Sequence, residues 1–152
     1  MFRFLGAIAV AAAFAAGIGS SGASPRFELI EVRLVSQDAG EGVQLPVNGT
    51  DGQVAVEDET LLGTSDFVSV GDVEWTEGKP GFNVGLTPGG ADKYERISTE
   101  NAGRTLAVIV DGEVLVTARI LDPVRAEGFL LTVNDEDEAR ALAANLRQAV
   151  AR

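Results

Sequence analysis

The chain has 152 residues, 23 acidic against 12 basic, a formal charge of −11, and neither cysteine nor histidine. Disulfides, thiolate or imidazole metal sites, a lipoprotein-type attachment cysteine and catalysis by Cys or His are therefore excluded. So acidic a surface repels nucleic acid and anionic membrane, and it also keeps an exported protein in solution.

In chain order, residues 1–23 have the layout of a secretory signal peptide: Arg3, an apolar run from Phe4 to Ile18, then small residues. The run is shorter and richer in Ala and Gly than the ~20 strongly apolar residues of a spanning helix. Ser21-Gly22-Ala23 places small residues where cleavage requires them, so cleavage is expected after Ala23. An uncleaved anchor ranks second, because Gly17 to Ser24 is small and polar. Residues 24–152 are then expected to form one α+β domain, outside the membrane and without a further span. An exported chain lacking disulfides must be held by its core.

Phe27 to Ser36 reads as the first strand, with its two halves of opposite parity, so a bulge is expected near Ile30. Residues 37–52 carry Gly40, Gly42, Pro46, Asn48, Gly49 and Gly52 and read as a loop. Gln53 to Glu57 is a short strand, and Glu57-Asp58-Glu59 a solvated acidic loop. Phe67 to Trp75 is a strand with Phe67, Ser69, Gly71, Val73 and Trp75 on one face; Gly71 marks a bend. Trp75 is expected in core or rim packing. Glu77 to Pro80 is a turn, and Phe82, Val84 and Leu86 alternate with Asn83 and Gly85 as a half-buried strand.

Thr87-Pro88 opens a helix, Thr as N-cap and Pro at the first helical position. Gly89-Gly90 is read as a turn without the flanking cation of a phosphate cradle. Ala91, Tyr94, Ile97 and Ser98 follow at helical spacing, and the helix ends near Asn101-Ala102-Gly103, where Gly103 suits a left-handed C-cap. Leu106–Val110 and Val114–Val116 flank Asp111-Gly112, the signature of a hairpin with a type I′ turn. Leu106 to Val110 is apolar throughout, so that strand is buried on both faces. After Asp122-Pro123, Phe129 to Val133 is the last strand. Asn134 caps the final helix, Asp135 to Glu138 load its positive end with carboxylates, and Ala139, Leu142, Ala143, Leu146 and Val150 form its apolar stripe. The fold class is α+β, a mostly antiparallel sheet with two helices on one face.

No residue set announces chemistry. Lys79 and Lys93 are the two lysines, and neither has a serine in a motif context. The calcium-loop pattern is absent, so the acidic runs at Glu57–Glu59 and Asp135–Glu138 are read as loop and helix start. Arg119 and Arg125, framing Asp122-Pro123, are read as balancing local acid. Catalytic residues, metal ligands and cofactors are expected to be none, and ligand-binding residues are not assigned.

Phe82 to Pro88, Gly90-Ala91, Thr99 to Arg104 and Leu106 to Val114, in that order, resemble the head subdomain of the first periplasmic domain of the SecD/SecDF protein-export family. The final helix, with Glu138-Ala139, Leu142-Ala143 and Leu146, fits the same pattern. The resemblance covers residues 81–152, and residues 24–80 more weakly. Its structural signature is Thr87, Pro88, Asn101, Gly103, Asp111 and Gly112. The chain departs from the family at Thr117-Ala118-Arg119, where the family has Ser-Ala-Pro, and at Ala126-Glu127-Gly128, where it has a Gly-Gly turn. The resemblance implies an exported, periplasmic or envelope-located, non-enzymatic α+β head that binds protein or unfolded polypeptide in connection with export. The other reading is a structural or regulatory envelope protein with one dedicated partner.

Overall fold

The structure, a computed structural model, describes residues 28–38 and 40–151. The expected signal peptide and Phe27 lie outside the described residues.

The element order is β1 (Ile30–Leu34), β2 (Val43–Pro46), β3 (Gln53–Val56), a 3-10 turn (Thr64–Asp66), β4 (Phe67–Val70), β5 (Glu74–Thr76), β6 (Lys79–Leu86), α1 (Pro88–Glu100), β7 (Thr105–Val110), β8 (Glu113–Arg119), β9 (Gly128–Thr132) and α2 (Glu136–Val150). The strands form three sheets: β1-β7-β8, the hairpin β2-β3, and a sheet centred on β6 that carries β4, β5 and β9. Every pairing between these strands is antiparallel. Among the described residues, no helix is long and apolar enough to cross a membrane.

β7 is the strand on which two cores meet. Leu106, Val108 and Val110 face a larger core with Ile30, Val32, Leu34, Phe82, Val84 and Leu131. Ala107 and Ile109 face a smaller one with Leu45, Val56 and Val114. Both parities of the strand are therefore dry, as its unbroken apolar run implies. The turn to β8 carries Asp111 at φ 52° and Gly112 at φ 82°, the pair of left-handed residues that a type I′ turn needs.

β1 runs in unbroken register with β7 from Ile30↔Val110 to Leu34↔Leu106, so the bulge expected near Ile30 does not exist. Ile30, Val32 and Leu34 fill the larger core, and the opposite parity is Glu31 and Arg33, 0 % and 4 % exposed. Glu31 Oε1 lies 2.6 Å from Arg33 Nε. Thr60 Oγ1 and the Glu28 amide also donate to the Glu31 carboxylate, each at 2.9 Å. Arg33 Nη1 donates to the Glu57 carbonyl at 3.2 Å. Buried charges are tolerable when neutralised and hydrogen-bonded in this way.

Other expectations are corrected as well. Residues 43–46 form β2 rather than loop, because Leu45 inserts into the smaller core while Pro46 sits at the last pair of a hairpin edge. The strand expected over Phe67–Trp75 is two strands along β6, interrupted at Gly71–Val73. Phe67 pairs with Leu86 and Ser69 with Gly85, so Val68 is the extra residue of a bulge. The bulge reverses parity, and Val70, not Ser69, joins Phe67 on the core face. Glu77 and Gly78, at φ 51° and 83°, close the β5–β6 hairpin, and Lys79-Pro80 already belongs to β6.

α1 begins as Thr87 Oγ1 accepts the Gly90 amide at 2.9 Å with Pro88 at the first position. Gly89 and Gly90 lie in that first helical turn rather than in a separate turn, and a Cβ at Gly90 would stand 2.5 Å from the Asp66 carbonyl oxygen. α2 is capped by Asp135, not Asn134: the carboxylate accepts the Glu138 amide at 3.2 Å. Ala139, Ala143 and Leu146 from α2, and Ala91 and Ile97 from α1, pack into the larger core against Phe82, Val84 and Leu86. Both helices thus cover the same face of the β6-centred sheet.

Candidate functional site

The face of that sheet away from the helices is open. Opposed residues in register share a face, so Gly81, Asn83 and Gly85 of β6 lie outward with Thr132, Leu130 and Gly128 of β9 and with Ser69 of β4. Asn83 and Ser69 are exposed, and Leu130 is 38 % and Val68 56 % exposed. On this side neighbouring groups close over the glycines of the middle strand. A Cβ at Gly85 would come 2.3 Å from Ser69 Oγ, and one at Gly81 2.5 Å from the Leu131 carbonyl oxygen.

At the end of β6 this face runs into a groove of about 410 Å³ lined by Val68, Ser69, Gly85, Leu86, Thr87, Pro88, Ala91, Arg125 and Glu127. Its floor is the β6–α1 junction. One wall is the bulge residue Val68, and the other is the segment 121–127 linking β8 to β9. That segment is strapped to α1. Ser98, fully buried, donates to the Val124 carbonyl at 3.1 Å and accepts the Val124 amide at 2.9 Å. Arg125 pairs with Asp92 and lies 3.6 Å from Glu95. The Glu127 carbonyl accepts the Leu86 amide at 2.8 Å. The Asp92 hydrogen bond raises the Arg125 pKa further, so that cation is permanent and internally balanced. The strap holds Leu121 and Val124 outward, 74 % and 47 % exposed.

The two edges of this sheet differ. At the break between β4 and β5, Arg147 of α2 donates to the Gly71 carbonyl at 2.7 Å and the Val70 carbonyl at 3.3 Å. It blunts an edge that would otherwise present bare carbonyls. β9, by contrast, pairs only with β6 among the described residues.

The signature residues fall at three separate turns. Thr87 and Pro88 line the groove. Asn101 ends α1, and Gly103, at φ 88°, donates its amide to the Ile120 carbonyl beyond β8. Asp111 and Gly112 lie at the β7–β8 turn, where the Asp111 amide is held by the Leu29 carbonyl. They fix the chain path and are not drawn into one site. Trp75 is 61 % exposed near the tip of the β5–β6 hairpin, not packed in a core or rim as expected, because β5 lies at the far end of the sheet. The acidic residues do not gather: no group of three or more potential ligands converges among the described residues. Glu57 pairs with Arg104 at 2.6 Å, and Glu138 accepts from the Asn48 amide group at 2.6 Å.

Reasoning from sequence missed Val68 and Leu130 as surface residues. The signal was available in part: strand alternation turns Leu130 outward whenever Phe129 and Leu131 point inside, and here it stands opposite Asn83.

The family model described as "SecDF, P1 head subdomain" matches residues 41–150. Protein translocase subunit SecD of Thermobaculum terrenum is 32 % identical over 76 residues, half of this chain and 15 % of that protein. SecD of Acidaminococcus fermentans is 32 % identical over 71 residues, 46 % of this chain and 17 % of that protein. The chain thus matches under a fifth of the length of these SecD proteins. Among solved structures, one described as a membrane component SecDF that enhances protein export superposes with a TM-score of 0.62 at 19 % identity, covering 81 % of this chain and 63 % of that one. SecDF in its super-membrane-facing form gives 0.60 at 22 % identity, covering 78 % and 18 %. These likenesses agree with the fold derived above, and the match over residues 41–150 settles the family: the chain belongs to the SecDF P1 head subdomain family.

Proposed function

We propose that this protein is an exported, periplasmic or envelope-located head of the SecD type that binds extended polypeptide in connection with protein export and has no enzymatic activity of its own. The observation that carries the reading is the one-sided sheet. Both helices pack on the Phe82–Val84–Leu86 face, which leaves the opposite face uncovered by a helix and β9 without a second strand partner among the described residues. Unpaired edge amides and carbonyls can take any extended backbone, so such binding tolerates many sequences. The negative charge favours basic or neutral segments and an on-rate that falls as salt rises. Affinity is modest, since an added strand buries little area.

The test titrates a reduced, permanently unfolded basic polypeptide against its folded counterpart. Preference for the unfolded form, weakened by salt, is expected. Equal binding to both, or to neither at tens of micromolar, would sink the reading and leave a dedicated folded partner in the envelope.

A further inference from the structure

We infer that Asn48 is a site of spontaneous covalent modification, deamidation through a cyclic imide, which the fold restrains by clamping the side-chain amide between Glu113 and Glu138. The inference is independent of the polypeptide-binding reading above.

Asn48 is the one asparagine of the chain that glycine follows. With no side chain on the next residue, the backbone nitrogen can reach the asparagine Cγ unhindered. In the reaction the Gly49 nitrogen gives its proton to hydroxide and attacks Asn48 Cγ. A Cγ–N bond forms, the Cγ–Nδ2 bond breaks, and Nδ2 leaves as ammonia after taking a proton from water. Water then opens the imide at either carbonyl and leaves aspartate or isoaspartate at position 48. The sum is amide plus water to acid plus ammonia, with no change of oxidation state.

The fold demands both halves of this labile pair. Val47 to Thr50 is a turn closed by the Thr50 amide on the Val47 carbonyl at 3.1 Å, and Gly49 stands in it at φ 78°. The Asn134 side-chain amide occupies the space that a Cβ on Gly49 would need. A side chain at 49 is therefore refused twice, by backbone conformation and by Asn134. Asn48 is held as firmly. Its Nδ2 donates to Glu113 Oε1 at 3.0 Å and to Glu138 Oε2 at 2.6 Å, and its backbone amide donates to the Val114 carbonyl at 2.9 Å. One NH2 group thus serves two carboxylates, a role that aspartate cannot fill.

The same clamp sets the rate. The Gly49 amide is exposed and has no acceptor among the described residues, so base can reach it. Swinging Cγ onto that nitrogen breaks both bonds to carboxylate, and bonds to ionised acceptors are the strong ones. Once formed, the product sets a third carboxylate against Glu113 and Glu138 and loosens the β2–β3 hairpin from β8 and α2.

For the test, purified protein is held at mildly alkaline pH, folded and in denaturant. Conversion at each asparagine is followed by peptide mass mapping, and isoaspartate by enzymatic methylation. In denaturant Asn48 should convert faster than Asn83, Asn101, Asn134 and Asn145. Folded wild type should convert it at least about tenfold more slowly than the denatured chain. Glu113→Ala with Glu138→Ala should recover most of that rate, whereas Glu136→Ala, on the same helical turn but off the amide, should not. If the double alanine variant loses the wild-type circular dichroism, Glu113→Gln with Glu138→Gln, which keeps shape and acceptors without charge, should still raise conversion about threefold. Asn48→Asp should unfold at a lower denaturant midpoint than wild type. Equal rates in folded and denatured wild type, or no gain in a folded clamp variant, would overturn the restraint. An unchanged midpoint in Asn48→Asp would overturn the demand for an amide at 48. If Asn48 converts no faster than the other asparagines in denaturant, it is not the site.

Discussion

Glu31 and Arg33 show how much a single pair of side chains can hide from pattern reading. Two charged residues at alternate positions look like the wet face of a strand, yet both are buried, and what makes that possible is their mutual neutralisation across 2.6 Å. Glu31→Ala strands a buried guanidinium and should cost about 3–5 kcal/mol, whereas replacing both residues with apolar ones of similar size should come close to neutral. Denaturant midpoints of the two variants decide this. Gly112 is a simpler case. Nothing lies within 4 Å of a Cβ built there, so the constraint is φ 82° alone. Gly112→Val should cost about 1–3 kcal/mol through backbone strain, read from the same midpoints. Tyr94, the single tyrosine, meets Phe129 edge-on at a ring separation of 5.1 Å, and burial raises its pKa above 10.0. The fold favours the neutral phenol. Its contribution is complete below the unfolded pKa and is lost as pH rises through the folded one. Alkaline titration by phenolate absorbance should therefore show a folded midpoint above that of the denatured chain, with stability falling between the two.

Among the elements, those written by local rules were the legible ones. Thr87-Pro88 announces α1, and Asp111-Gly112 announces the β7–β8 turn, because capping and left-handed geometry are decided by two or three neighbouring residues. Leu106–Val110 announces its own double burial. The neighbouring pair Asn134-Asp135 offers two capping side chains one residue apart, and geometry chose the second. β2 and the Val68 bulge were illegible for a different reason. Each is created by a partner strand, β3 in one case and β6 in the other, and register is not a local property. The groove is harder still to read, since it needs Gly85 outward, Val68 reversed and a strap fastened across α1. That strap yields a prediction at its own scale. Ser98→Ala removes both bonds to Val124 and leaves that backbone unpaired, so amide exchange at Val124 should accelerate by at least tenfold while α1 itself stays protected.

For the molecule as a whole, acidity and the spread of its carboxylates point the same way. No set of three or more ligands converges among the described residues, and several of the acids are engaged elsewhere: Glu57 with Arg104, Asp92 with Arg125, Asp66 with Lys93, Glu136 with Arg140, and Glu113 and Glu138 with Asn48. Millimolar calcium should leave the melting temperature where general salt leaves it, and chelator should not lower it. The expected removal of residues 1–23 is checked by N-terminal sequencing of the exported species: a new terminus near Ser24 is expected, and an intact Met1 on envelope-associated material would refute it.

The pairing of β1 with β7 has a bearing on how the protein comes into being. Ile30 must find Val110, and between them lies most of the chain. A polypeptide delivered amino end first has its opening strand in hand long before the strand that completes it. Until residues 105–110 arrive, neither core has its dividing wall, and Glu31 and Arg33 have no dry face to be buried in. Assembly is thus gated by arrival order rather than by local propensity, and its slow step is a long-range closure. A chain cut after Gly103 should stay unfolded, lacking β7, although every strand and helix before the cut is intact in sequence. A chain threading through a pore would remain extended for the same reason until residues 105–110 had passed.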